Sequence, residues 1–266
     1  MFLDKLCKTN PNLIQTAVHM HQQKQIMPDT YVVDVDQFLE NAKAILQKAN
    51  EQNIELYYML KQIGRNPYLA KELEKIGYKG AVVVDFKEAE VMMKNHLHIS
   101  HAGHLVQIPS MMINQLIAYG CDYITVYSYE KLVEVNEAAK KIGLVQKVCV
   151  RVIGENDRIY SGQTAGFYLN QLEELVQKSK DLKYIEIAGI DNFPCFLYDE
   201  VTKEIQAQEN LQTVLKAKKI LEKLGCHIQN VNAPSATAPL YKQAAASAST
   251  TTNLGFLVAL LYKLVK

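Results

Sequence analysis

Short apolar runs alternate with amphipathic helical segments along most of this chain, and that alternation limits its fold more than any other feature. Strand-like runs fall at Ile54–Leu60, Ala81–Val84, His98–Ala102, Tyr123–Tyr127, Lys147–Ile153, Tyr184–Ile190 and His227–Asn232. Between them the spacing predicts helices over Pro67–Ile76, Lys87–Asn95, Met111–Tyr119, Tyr129–Ile142, Asn170–Lys180 and Leu211–Leu224, with Gly77 and Gly225 as stops. Ala81–Val84 is apolar without a break, as expected of a strand buried on both faces. Each parallel strand pair needs a crossover, so repeated strand–helix units mean a parallel sheet. About seven such units in 266 residues favour a closed (β/α)8-type barrel, which runs near 250 residues, over an open doubly wound sheet. No G-x-G-x-x-G follows any strand, which argues against dinucleotide binding.

Residues 1–28 read as a helical arm, with Asn10 as cap and Pro11 in the first turn. Tyr31–Asp36 reads as a short strand whose last aspartate caps a helix from near Gln37 to about Asn53. The expected organisation is thus an arm (1–28), a barrel (29–242) and an atypical tail (243–266). The tail has a biased Ala/Ser/Thr run, Ala244–Thr252, followed by apolar Leu254–Leu261, which is too short to span a bilayer.

Charge narrows the function. Lys and Arg number 29 against 28 Asp and Glu, a net charge of +1, so the basic surplus of a nucleic-acid binder is missing. The cysteines Cys7, Cys121, Cys149, Cys195 and Cys226 are scattered, odd in number and never spaced C-x-x-C, which suits a reducing compartment and gives no zinc site. Met1–Asn12 has no apolar signal core. The expectation is a cytoplasmic protein with no nucleic-acid partner and no membrane.

In a barrel, chemistry sits at the carboxyl ends of the strands. Lys61 directly follows an apolar run, where desolvation would lower its pKa as imine formation requires; the plainer reading is a lysine reaching into water. His101 and His104 follow the third strand as substrate or metal contacts, or as hydrogen-bonded loop histidines. Ser161–Phe167 holds two glycines that allow close backbone approach. Asn232-Ala233-Pro234-Ser235-Ala236-Thr237 is a small hydroxylated loop suited to a phosphate, though Ser and Thr also cap ordinary helices. Cys195 has no histidine tied to it by motif and reads as packing.

These pieces together resemble the alanine racemase N-terminal domain family, the fold type III pyridoxal phosphate (PLP) enzymes, most nearly its YhfX-type branch. The resemblance rests on Val33–Asp36 with Asn41, Lys61-Gln62-Ile63-Gly64-Arg65-Asn66-Pro67, Gly103–Pro109, Asn192-Phe193-Pro194-Cys195 and Asn232–Thr237, and covers roughly residues 1–240. It implies an alanine-racemase-type barrel in which Lys61 holds PLP as an imine and Ser235 with its neighbours holds the phosphate. Arg65, His104, Asn192, Asn232 and Thr237 are the further cofactor-binding candidates. Asn192 stands where alanine racemase has a ring-stacking histidine. The family arginine that bonds the cofactor's phenolic oxygen has no counterpart in Ser161–Phe167.

The resemblance also implies a racemase-like activity: α-proton abstraction from an amino acid, with Lys61 as base on one face. In alanine racemase the second base is a partner subunit's tyrosine from a C-terminal β-domain, so a homodimer fits the pattern. That domain and a proper eighth strand are not expected here. Thr252–Gly255 is compatible with the branch's Glu-Pro-Gly loop read out of frame, so truncation after about residue 242 and loss of activity go with this reading. Two alternatives stay open: a PLP-binding protein without turnover, and a lysine Schiff-base aldolase barrel. The plainest alternative is a barrel remnant that binds nothing.

Overall fold

A computed structural model describes residues 2–199 and 201–234 and the backbone of 253–254 and 256–258. Contacts divide the chain into a unit of residues 1–44 and a unit of residues 45–259.

The first unit begins with α1 (Phe2–Thr9) and α2 (Pro11–Gln22). Asn10 caps α2 by accepting from the Leu13 amide at 3.1 Å, and its own amide donates to Asp34 at 2.8 Å. Asp34 in turn accepts the Gln37 amide at 3.0 Å and caps α3 (Val35–Asn50). The strand expected at Tyr31–Asp36 does not form, because Val35 and Asp36 are already helical and the cap is Asp34. A carboxylate that satisfies an orphan amide at a helix start overrides a short β-prone run.

The second unit is built on parallel strands. They are β1 (Leu56–Tyr58), β2 (Ala81–Val83), β3 (Ile99–Ala102), β4 (Tyr123–Val126) and β5 (Gln146–Ile153), then β6 (Phe167–Tyr168) and β7 (Ile185–Asp191). An antiparallel hairpin, β8 (Phe196–Tyr198) and β9 (Ile205–Ala207), follows β7 and precedes β10 (Asn230–Asn232). The crossovers are α4 (Pro67–Ile76), α5 (Phe86–Lys94), α6 (Ser110–Tyr119), α7 (Tyr129–Ile142), α8 (Leu172–Ser179) and α9 (Glu209–Lys223). The strands run in the order β10-β7-β5-β4-β3-β2-β1, all parallel, with β6 beside β5. Two short segments complete the order: β11 (Asn253–Leu254) pairs with β10, and β12 (Phe256–Val258) pairs with β1. The place of an eighth strand is thus taken by pieces of two and three residues rather than by a strand of ordinary length. Ser235, Thr237 and the Ala244–Thr252 run lie outside the described residues.

The local sequence explains the elements. Asn66 accepts the Tyr68 and Leu69 amides, Pro67 opens α4, and Gly77 closes it at φ +116°. β2, β3 and β4 are buried at every position, as strands between a helical layer and a filled barrel must be. The barrel interior is packed tightly: a Cβ on Gly189 would meet the Cys149 Sγ at 2.3 Å, so the glycine makes room for that thiol.

Candidate active site

Burial along the first strand stops at Leu60, and Lys61 begins a short 3-10 turn as an exposed residue. The expected desolvation of Lys61 is therefore not found, because the lysine stands one step beyond the buried strand end. Its neighbours are fixed firmly. Glu88 of α5 accepts the Leu60 amide at 3.1 Å and the Val84 amide at 2.8 Å, tying the ends of β1 and β2 with one buried carboxylate. Burial raises the pKa of Glu88 despite these two bonds. Arg65, at φ +55°, pairs with Asp85 at 2.7 Å, and its Nε is buried without a partner.

Deeper in the same mouth lies a polar cluster drawn from five strands. His101 is the last residue but one of β3 and is 2% exposed. Its Nε2 bonds the Thr125 hydroxyl, and the Asn232 amide donates to its Nδ1 at 3.1 Å. Burial pushes the His101 pKa down to about 4, so the ring is neutral near pH 7. His104 follows Gly103, whose φ is +85° and whose missing Cβ would stand 2.9 Å from the Thr125 carbonyl oxygen. Only glycine lets the chain turn this closely over β4. His104 Nδ1 lies 2.8 Å from Asp191 at the end of β7, and both side chains are fully buried. Burial acts to raise the Asp191 carboxyl, but the charge and hydrogen bond of His104, with His101 and Arg151, hold it below the usual range. Arg151 of β5 pairs in register with Asp191 and is 1% exposed. Its guanidinium lies over the Tyr127 ring at 5.4 Å, and one terminal nitrogen donates to the Gln163 carbonyl at 3.4 Å.

Among the described residues, several polar atoms of this cluster have no partner: His104 Nε2, Arg151 Nε and Nη1, Asp191 Oδ1 and Asn232 Oδ1, with Gln163 Oε1 on the loop after β5. Each such buried group costs about 1–3 kcal/mol, and more when charged. Their gathering at the carboxyl ends of barrel strands is the mark of a ligand site. A buried guanidinium with free donors suits an anionic oxygen, and Lys61 at the rim offers an amine to an aldehyde. These groups fit PLP.

The other candidates are placed differently. The Asn192 amide is fully engaged: it donates to Asp157 at 2.7 Å, accepts from Asn210 at 3.1 Å and accepts its neighbour's amide at 2.7 Å. Those bonds give Asn192 a structural task, joining β7 to the loop after β5 and to α9. Phe193 approaches the His104 ring edge at 5.8 Å between centroids. Burial pushes the Cys195 thiol well up, which leaves it inert. Sequence reasoning passed over Arg151 and Asp191, though both stand at strand carboxyl ends, where a charged residue inside an apolar run is itself a signal. A polar cavity of about 530 Å³ also opens at the amino ends of β1–β5. Four of its charged or ionisable groups are paired, Lys79 with Glu55 at 3.5 Å and His98 with Asp122 at 2.7 Å, and Lys147 donates to the Gln229 amide oxygen at 2.7 Å. No group of three or more metal-ligating side chains occurs among the described residues.

Residues 33–261 match the model of the alanine racemase N-terminal domain. The chain belongs to the alanine racemase N-terminal domain family. The family is one of fold type III PLP enzymes. The chain is 44% identical over 238 residues to the uncharacterized protein YhfX of Escherichia coli (strain K12), covering 90% of this chain and 62% of that protein. It therefore spans less than two thirds of that relative's length. Among solved structures it is similar to diaminopimelate decarboxylase from M. jannaschii, with a TM-score of 0.66, 16% identity and coverage of 90% of this chain and 62% of that one. It is also similar to D-threonine aldolase from Filomicrobium marinum, with a TM-score of 0.58, 16% identity and coverage of 85% and 60%. At such identities these likenesses show the fold, and the named reactions differ from one another. No helix among the described residues is long and apolar enough to cross a membrane.

Proposed function

We propose that this chain binds PLP through Lys61 and acts on an amino acid by removing its α-proton, as a racemase-like enzyme. The observation that carries the reading is the set of unpartnered buried polar atoms on Arg151, His104, Asp191 and Asn232. They converge at the barrel end where Lys61 stands and where the family's chemistry belongs.

When bound, the cofactor supplies an electron sink that makes a proton on the substrate's α-carbon acidic. The protein supplies position and charge. Arg151 offers two buried N–H donors to an anionic oxygen, without a carboxylate competing at hydrogen-bond distance. Asn232 holds a free carbonyl oxygen for a donor of the ligand. Glu88 fixes the backbone one residue before Lys61, so the amine swings from a rigid point. The amine itself takes or returns a proton at the α-carbon once it is free. Ser235 and Thr237 remain the proposed phosphate holders, and an amino acid is the proposed substrate class.

The test is an absorbance titration of the purified 266-residue chain with PLP. A visible band that saturates in the wild type and is missing in Lys61→Ala supports the proposal. An equal band in Lys61→Ala, or no band in the wild type, overturns it.

A further inference from the structure

We propose that His104, oriented by Asp191, is a second proton-transferring residue of this site, supplied by the same chain as Lys61. The inference rests on the PLP reading above and gives that site a further catalytic residue. His104 Nδ1 lies 2.8 Å from Asp191 and 3.4 Å from the Asn232 amide nitrogen; the carboxylate contact is the shorter, an ionised carboxylate only accepts, and the amide has His101 Nδ1 at 3.1 Å as its nearer acceptor, so the proton is assigned to His104 Nδ1. In its neutral form such a ring carries its lone pair on Nε2, which is buried and without a partner among the described residues. His101, 5.8 Å away between ring centroids, is the internal contrast. Both of its nitrogens are engaged, and because Asn232 donates to Nδ1 its proton sits on Nε2. The two neighbouring histidines thus hold opposite tautomers, and only His104 keeps a ring nitrogen free for a ligand.

The ring is also held in place from the backbone side. Gly103 permits the close turn, and the Tyr127 hydroxyl donates to the His104 carbonyl. The ionisable groups around it are Asp191, Arg151, His101 and Tyr127. In the step proposed, the Nε2 lone pair accepts a proton from the substrate's α-carbon. The electron pair of that C–H bond stays on the substrate and is drawn toward the bound cofactor. The ring becomes an imidazolium paired with Asp191, and Nε2 then returns the proton to carbon, so the protein ends as it began. Asp191 is a positioning residue: it keeps its charge throughout.

Two measurements test this. Long-range proton–nitrogen NMR of the histidine-labelled free chain is expected to show His104 with its proton on Nδ1 and His101 with its proton on Nε2. A wild-type His104 with its proton on Nε2 overturns the proposal without any loaded enzyme. In the second measurement the chain is incubated with PLP and single L-amino acids in deuterium oxide. His104→Gln is expected to retain borohydride labelling at Lys61 while α-deuterium incorporation falls at least tenfold. Asp191→Asn is expected to shift the pH profile of incorporation. Incorporation unchanged in His104→Gln, or absent from a wild type labelled at Lys61, overturns the role of His104. A wild type that takes no label at Lys61 overturns the PLP reading itself.

Discussion

His101 gives the clearest consequence at the scale of a residue. Its pKa in the fold is about 4, against the ordinary histidine value of 6.5, because burial disfavours the charged ring. A lowered pKa means that the unfolded chain binds the proton more tightly. The stability carried by neutral His101 is full above about pH 6.5 and is lost as pH falls toward 4, by up to about 3 kcal/mol. Urea midpoints measured from pH 7 to 4 should fall steeply in the wild type and more shallowly in His101→Gln. Arg151 gives a second. Its Nε and Nη1 are buried and unbonded, so the guanidinium is held at a cost in the free protein. Arg151→Met should weaken PLP binding at least tenfold while changing unfolding stability by less than about 1 kcal/mol, read from titration and urea unfolding on the same samples. Lys61, His104 and Asn232 were singled out in the sequence because they stand at or just after the ends of strand-like runs. Arg151 was not, because it lies inside the strand-like run Lys147–Ile153, and Asp191, directly after the run Tyr184–Ile190, was not weighed as a site residue. The partners that hold the Asn192 amide, Asp157 and Asn210, were not legible because they lie 35 and 18 residues away in sequence.

Elements depend on a few side chains that cross between them. Glu88 is the strongest case, a helix residue whose carboxylate terminates two strands. Glu88→Ala leaves the Leu60 and Val84 amides buried without acceptors, and should cost about 2–5 kcal/mol in urea unfolding. Gly189 is the second case. Gly189→Ala drives a methyl against the Cys149 sulfur and should destabilise by about 1–3 kcal/mol, with Cys149→Ala in the same chain restoring part of the loss. The crossover helices were legible to within a few residues because their caps are local. Gly77 was read as the stop of α4; the Asn66 cap of α4 and the Ser128 and Gly143 caps of α7 come from the structure. The hairpin of β8 and β9 and the two-residue β6 were not legible. They are too short for a period-2 pattern, and their pairing is decided by the loops that carry them. The run at Tyr31–Asp36 misled for the converse reason: its β-prone side chains lost to a capping carboxylate at Asp34.

At the scale of the whole molecule, the repeated strand–helix unit determined the barrel, and the barrel rule located the chemistry at one end. The match over residues 33–261 agrees with both. What the repeat does not encode is the reaction, since structures of this fold include a decarboxylase and an aldolase. Reaction type rests instead on the few polar groups that reach the mouth from different strands. The gap between β10 and β1 was legible as a break in the repeat; that residues 253–254 and 256–258 pair across it was not, because their sequence gives no strand of ordinary length. The most direct measurement is peptide mapping by mass spectrometry after the chain is mixed with PLP and reduced with borohydride. The expected result is a single phosphopyridoxyl mass increment, carried by the peptide containing Lys61. An unlabelled Lys61 peptide, or a label spread evenly over the exposed lysines, would contradict the assignment.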